Sequence, residues 1–176
     1  MLWLAYWTVA AGRTKPVARA ETIASRLSHL LPLGIGVALL SLHAPGLLGR
    51  RWLPYSEAGF WAGAALVAAG LGFAVWARVH LAGNWSGTVT LKQDHSLTRS
   101  GPYGWVRHPI YTGLLLALLG SAIANGSWAG LLGLLAIALA FLRKIGIEER
   151  FLGAQFGEAY ARYRSEVPAL LPWPRR

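Results

Sequence analysis

The sequence predicts an all-α membrane protein: a polytopic bundle of about five transmembrane helices, with a C-terminal helical hairpin and a cytoplasmic amphipathic helix. Three observations carry this expectation. Of 176 residues, 55% are hydrophobic and only 14% are charged, whereas a soluble domain carries about 25% charged residues. Several apolar runs approach the ~20 residues that cross a bilayer. Pro109 to Leu142 is a stretch of 34 residues without one charge. That is too long for a single simple span of a ~30 Å core at ~1.5 Å per residue, and Asn125-Gly126-Ser127 in its middle reads as a turn.

Taken in order, Leu2 to Ala11 is apolar but short. It reads as the end of a first helix that starts upstream, or as a tilted, Trp-anchored one. A cleaved signal peptide would carry its positive charges before the apolar stretch, and here Arg13 and Lys15 follow it. Arg13 to Ser28 is a polar connector. Leu30 to Leu48 is a second apolar run containing Pro32, Gly34 and Gly36, closed off by Arg50, Arg51 and Pro54. Ala58 to Val79 is the clearest span. Leu81 to His108 is a long polar stretch, and the apolar hairpin of two short helices follows. From Arg143 the chain turns charged and amphipathic and ends in a Pro-rich tail. Gly59…Gly63 and Gly126…Gly130 have the spacing that permits close helix contacts. The division of labour expected is residues 1–80 as N-terminal membrane helices and residues 81–176 as the functional core.

Charge sets the expected orientation. With five spans, the connectors 12–28 and 81–108, Arg78 and the tail hold 15 Lys and Arg, and the opposite side holds 2. The positive-inside rule makes the first side cytoplasmic. The net charge of +10 therefore points to loops facing anionic headgroups. Nucleic-acid binding is not expected, because no basic run carries interleaved stacking aromatics. No cysteine is present, which removes disulfides, thiolate zinc sites and a cysteine nucleophile. No metal site is expected.

Two stretches carry chemistry. The first, His95-Ser-Leu-Thr-Arg-Ser-Gly-Pro-Tyr103-Gly-Trp-Val-Arg107-His108-Pro109-Ile-Tyr111-Thr-Gly113, joins a polar loop to a membrane helix. Pro109 suits a first helical turn, where its missing N–H costs nothing, and places His108 at the helix entry. That turn offers free N–H groups and a positive dipole end to a carboxylate, and Arg107 adds charge. Tyr103 and Tyr111 can bracket a planar or cationic group. The same residues could equally serve as interfacial anchors and caps. The second stretch runs from Lys144 to Tyr163. Leu152, Phe156, Tyr160 and Tyr163 form one helical stripe, which Glu148 extends inward, while Glu149 is turned about 100° away. An inward carboxylate at a membrane boundary requires a cation. Either Lys144 pairs with it across one turn, or Glu148 binds a ligand ammonium and Lys144 a substrate anion.

The Gly-Pro-Tyr…Arg-His-Pro-x-Tyr-x-Gly stretch is followed, after the apolar hairpin, by Glu-Glu-x-x-Leu-x-x-x-Phe-Gly-x-x-Tyr-x-x-Tyr. This pair of motifs resembles the isoprenylcysteine carboxyl methyltransferase family, and related phospholipid methyltransferases share much of it. The match covers residues 81–173. The resemblance implies a membrane enzyme that holds S-adenosyl-L-methionine at the cytoplasmic edge of the bundle. Cofactor contacts would fall on His95, Leu97, Thr98, Tyr103, on His108, Pro109, Ile110 and Tyr111, and on Glu148, which would hold the methionine amino group. A further polar contact falls near Thr88. The basic position one turn before the acid pair would bind substrate. Here it is Lys144, with Arg143 beside it, where the family often has Arg; a point charge replaces a planar fork.

The expected reaction is carboxyl methylation of a lipidated, isoprenylcysteine-like small molecule or protein, with membrane lipids around it. Aminolipid N-methylation is the alternative enzyme and needs a base to remove an ammonium proton. A membrane scaffold or carrier is the alternative without catalysis.

Overall fold

The computed structural model describes residues 7–8, 17–42, 44–86, 88–92 and 96–172. The apolar stretch from Leu2 to Ala11 falls almost entirely outside them, as does His95. Helices dominate the described residues. Three are long and apolar enough to cross a membrane, and a fourth is apolar but shorter. With exposed leucines such as Leu31 and Leu139 facing outward, this is the build of an integral membrane protein. The first helix, α1, is Ile23–Ser41. It starts earlier than its apolar run suggests, because Thr22 caps it by accepting from the Ser25 N–H at 3.3 Å, and it stops sooner, where Leu42 turns extended. The first turn is therefore polar and lies in the expected connector. A single turn at Gly46–Gly49 follows, and then α2, Glu57–Leu81, capped by Ser56. Helix α3 is Pro109–Asn125, α4 is Trp128–Phe156 and α5 is Glu158–Glu166.

An addition to the helical expectation is a small antiparallel ribbon. Strand β1, Val17–Ala20, pairs with β2, Thr90–Lys92. It ties the connector before α1 to the polar stretch after α2. Glu21 extends the tie: its N–H donates to the Val89 carbonyl at 3.0 Å, and its carboxylate accepts from the Ser25 hydroxyl at 2.9 Å.

The hairpin turn falls where the sequence places it. Gly126 closes α3 in the left-handed region at φ 66°, the conformation that favours glycine. Ser127 caps α4 by accepting from the Gly130 N–H at 3.1 Å. The loop before α2 braces this turn, because the Trp52 N–H donates to the Gly126 carbonyl at 2.8 Å. The helices themselves differ from expectation. They are not two short partners: α4 runs unbroken for 29 residues, absorbs the first part of the expected amphipathic helix, and stops only at Gly157, φ 51°. Nor do α3 and α4 pair along their length. Helix α3 packs along α2, and α4 along α1.

Backbone approach explains this pairing. A Cβ added to Gly63 would lie 2.5 Å from the Gly120 carbonyl oxygen, and one on Gly70 would overlap that of Gly113. Ala74 and Ala77 continue the seam with no exposed surface. In hydrocarbon no hydrophobic force drives helices together, so small residues that allow close dispersion contact select the partner. The contacts thus repeat every seven residues on α2 and α3, not at the four-residue spacing of Gly59…Gly63 or Gly126…Gly130. On the other pair, a Cβ on Gly36 would sit 2.7 Å from the Gly133 carbonyl oxygen. Between the two pairs, α1 and α3 touch little, and the space between them becomes the site.

Candidate functional site

The two chemistry-bearing stretches meet in space. His108 ends the loop and caps α3, with Pro109 as the first helical residue. Glu148 lies on α4, and the Tyr111 hydroxyl donates to its Oε1 at 2.5 Å. The other oxygen of Glu148 lies 3.5 Å from His108 Nδ1. The His108 and Tyr111 rings stack at 5.8 Å with 17° between planes, and Tyr111 stacks in turn on Phe141 at 4.9 Å. Lys144 Nζ lies 5.6 Å from the Tyr111 ring centroid. A carboxylate, a histidine, a tyrosine and an ammonium are thus held within one turn of each other at the mouth of the bundle.

Glu149 is placed differently from its expected outward aim. Its Oε1 accepts from Arg107 Nε at 3.0 Å and Nη2 at 2.5 Å, and lies 3.4 Å from His108 Nε2. Its Oε2 is 3.4 Å from Arg164 Nε on α5. The helical offset of 100° from Glu148 is real. That face is nevertheless covered, because α5 and the C-terminal strap fold back across it. The Arg107 and His108 N–H groups donate to the Pro168 and Ala169 carbonyls at 2.8 and 3.0 Å, and the Thr112 hydroxyl donates to the Leu170 carbonyl at 2.7 Å. Arg107 also donates to the Val167 carbonyl. The stripe of Leu152, Phe156, Tyr160 and Tyr163 packs as expected into a cluster with Val167 and Leu97, bent around Gly157 across two helices. The Tyr163 hydroxyl donates to the Tyr103 carbonyl at 2.7 Å, fixing the loop, and burial pushes its pKa up to about 12.

The electrostatics balance. Glu148 and Glu149 face Arg107, His108 and Lys144. Burial disfavours a charged His108, but hydrogen bonds and charge from Glu148 and Glu149 outweigh it and raise the pKa above the ordinary 6.5. Burial likewise raises the Tyr103 phenol, which stays a neutral hydrogen-bonding group.

These groups border a cavity of about 590 Å³, the size range of small-molecule and cofactor sites. Leu97, Thr98, Tyr103, Arg107, His108, Ile110, Tyr111, Lys144 and Glu148 all line it, as does Thr88. Pro109 is buried beneath the wall. Arg143 is exposed and does not line the cavity. The sequence reading missed the wall that the segment after α2 contributes: Asn84, Trp85 and Thr90. Asn84 Nδ2 donates to the Ser96 carbonyl and hydroxyl, both at 3.1 Å, which turns its Oδ1 away from them. That oxygen and Thr90 Oγ1 are buried without a hydrogen-bond partner. Trp85 is backed by the Arg78 guanidinium at 4.7 Å. The Asn-Trp-Ser run after α2 is a sequence signal that could have pointed there. The opposite wall, toward the membrane, is apolar: Leu33 and Val37 from α1, Leu114 from α3 and Phe141 from α4.

A polytopic helical membrane protein with a largely apolar cavity, polar along one wall, at one end of its bundle is a recognisable class. The chain belongs to the phospholipid methyltransferase family, whose profile matches residues 58–159. A protein-S-isoprenylcysteine O-methyltransferase of Schizosaccharomyces pombe is 37% identical over 81 residues, 46% of this chain and 34% of that protein. A methanethiol S-methyltransferase of Mycobacterium tuberculosis is 40% identical over 78 residues, 42% of this chain and 30% of that protein. The matched region thus spans about a third of the length of these relatives. The solved structure of a eukaryotic intramembrane Ras methyltransferase, isoprenylcysteine carboxyl methyltransferase, has the same fold. It superposes with a TM-score of 0.61 at 24% identity, over 96% of this chain and 53% of that one.

Proposed function

We propose that the chain is an integral membrane methyltransferase that uses S-adenosyl-L-methionine and methylates a carboxylate on a lipidated, isoprenylcysteine-like acceptor. The observation that carries the reading is the convergence of His108, Tyr111 and Glu148 on one cavity. The cavity suits this cofactor for two physical reasons. Glu148 is a half-buried carboxylate on the wall, which matches an α-ammonium group. Asn84 Oδ1 and Thr90 Oγ1 are buried polar atoms lacking partners, each costing about 1–3 kcal/mol unless met, and a nucleoside offers hydroxyl and amine donors. When bound, the cofactor supplies an electrophilic sulfonium methyl group.

The chain's own residues do the rest. Glu148 holds the ammonium, and His108 and Tyr111 hold Glu148. Lys144 orients the acceptor carboxylate without gripping it so firmly as to quench its nucleophilicity. A carboxylate is already ionised at neutral pH, so positioning supplies most of the rate and no strong base is needed. Leu33, Val37, Leu114 and Phe141 receive the lipid tail. The names of the two curated relatives support methyl transfer, and the excess of basic residues at this end of the bundle supports a cytoplasmic site.

Isothermal titration of S-adenosylhomocysteine into the detergent-purified protein tests the cofactor. Wild type is expected to bind, and Glu148→Gln and His108→Ala to lose at least about tenfold in affinity, since each removes a charged hydrogen-bond partner. Unchanged affinity in both variants would overturn the assignment. A radiolabel transfer assay comparing prenylated cysteine with phosphatidylethanolamine separates the acceptors, with Lys144→Ala affecting only the first.

A further inference from the structure

We infer that Glu149, which does not touch the cavity, is a positioning residue that fixes the charge and aim of Glu148 through the His108 ring. The inference rests on the reading of Glu148 as a ligand-holding group. Its basis is the way the imidazole is gripped. Nδ1 lies 3.5 Å from a Glu148 oxygen and Nε2 lies 3.4 Å from a Glu149 oxygen. A neutral imidazole carries one N–H, so one of these contacts would set a lone pair against a carboxylate; only the imidazolium donates at both ends. Glu149 therefore selects the charged ring, and the charged ring presents an N–H to Glu148.

Glu149 is fitted for that task and for no direct one. Glu148 lines the cavity and Glu149 does not. Its two oxygens are anchored by Arg107 from the loop and Arg164 from α5, so it cannot swing away from the ring. His108 is also fixed from elsewhere: its backbone N–H donates to the Ala169 carbonyl, and Tyr111 stacks on the ring. The charged and titratable groups around it are Arg107 in its own segment, Tyr111 on α3, Lys144, Glu148 and Glu149 on α4, and Tyr160 and Arg164 on α5. Among them the two carboxylates are the groups that favour the ring's positive charge, and burial opposes it. Remove Glu149 and only Glu148 is left to favour the charged ring. A neutral ring then leaves Glu148 either facing a lone pair or free to rotate, and in both cases the ammonium site is lost.

The consequence is a pH signature. Wild type should lose affinity for S-adenosylhomocysteine as pH rises through the His108 pKa, which lies above 6.5, and the two values compared are about pH 6 and about pH 8.5. Glu149→Gln should lose affinity at lower pH than wild type, so that relative to wild type it binds more weakly near pH 8.5 than near pH 6, by up to about tenfold, the limit that a one-unit fall in the His108 pKa sets. Glu149→Asp should restore the wild-type profile. Glu149→Gln leaves Arg107 facing a neutral amide, so the double variant Arg107→Met/Glu149→Gln, which removes both charges, serves if the single variant does not fold. Its affinity ratio between the two pH values should show the same loss. Titration calorimetry reads each dissociation constant, and the histidine ¹⁵N shifts of wild type and Glu149→Gln read the ring's protonation directly. A loss of equal size at both pH values, or no loss at all, overturns the inference while Glu148→Gln still weakens binding at least about tenfold. Failure of wild type to bind the probe would instead overturn the cofactor reading itself.

Discussion

The α2–α3 seam and the His108–Glu148–Glu149 junction hold the same molecule together by opposite means. The seam has no polar side-chain contact: Gly63, Gly70, Gly113 and Gly120 let two backbones approach until a single methyl group would collide. The junction is almost entirely polar, with two carboxylates, a histidine and an arginine drawn from two segments that are distant in the chain. The difference shows how a membrane chain divides its tasks. Dispersion between small residues can choose a partner and fix its distance, yet it presents nothing to a ligand. Buried charges present a great deal, but each must be matched, since an unmatched charge at a bilayer boundary is costly. The site therefore sits where the bundle can supply several partners at once: at the end, where the loop, α4, α5 and the strap converge.

The sharpest way to break the contrast is to unmatch a charge. Arg107→Met takes from Glu149 the partner that donates two hydrogen bonds to it and should cost about 3 kcal/mol, the lower end of the penalty for breaking a buried pair from one side; equilibrium unfolding in detergent measures it. A loss under 1 kcal/mol would mean that Arg164 and water compensate and that the junction is solvent-screened. Of similar size is overpacking the seam. Gly70→Leu should destabilise by about 3 kcal/mol and lower the melting temperature without changing ligand selectivity. Gly72→Ala, two residues away on the same helix with nothing within 4 Å of its Cβ, should be neutral or gain up to ~1 kcal/mol in helix propensity. Equal effects at 70 and 72 would refute the seam.

Smaller is the cap: Ser127→Ala should cost about 1 kcal/mol, read in the same melts. Smallest is the effect of pH on the junction. The folded His108 pKa lies above its ordinary value of 6.5, so the stabilisation from its charged form is complete below that value and is lost as pH rises through the folded pKa. The melting temperature should fall across that interval, and His108→Gln should flatten the slope. A slope unchanged by the substitution would show that another group titrates.

Much of this was legible in the residues. Ala58–Val79 is nearly α2, the Asn-Gly-Ser turn closes α3 as expected, and the His-Pro pair and Glu148 meet as their motifs implied. These succeed because they depend on local chemistry: a capping residue, a φ that glycine favours, a proline at a first turn. The pairing of α3 with α2 failed to show because it depends on glycines seven residues apart finding one another across the chain, while abundant glycine offered decoys at four. Glu149 was read as outward because helical phase tells which face a residue occupies, not what folds back over that face. Thr88 lines the cavity as expected, but its neighbours Asn84, Trp85 and Thr90 were not foreseen, for a similar reason. The polarity of that stretch read as a loop, and only the tertiary fold turns its polar atoms toward a cavity.

The most direct test of the whole account is an experimental structure of this chain with S-adenosylhomocysteine bound. The account predicts the ligand's amino group against Glu148, with His108 between the two carboxylates, and its nucleoside half against Asn84 and Thr90. Density for the ligand elsewhere on the bundle, with Glu148 turned away from it, would contradict the account at its centre.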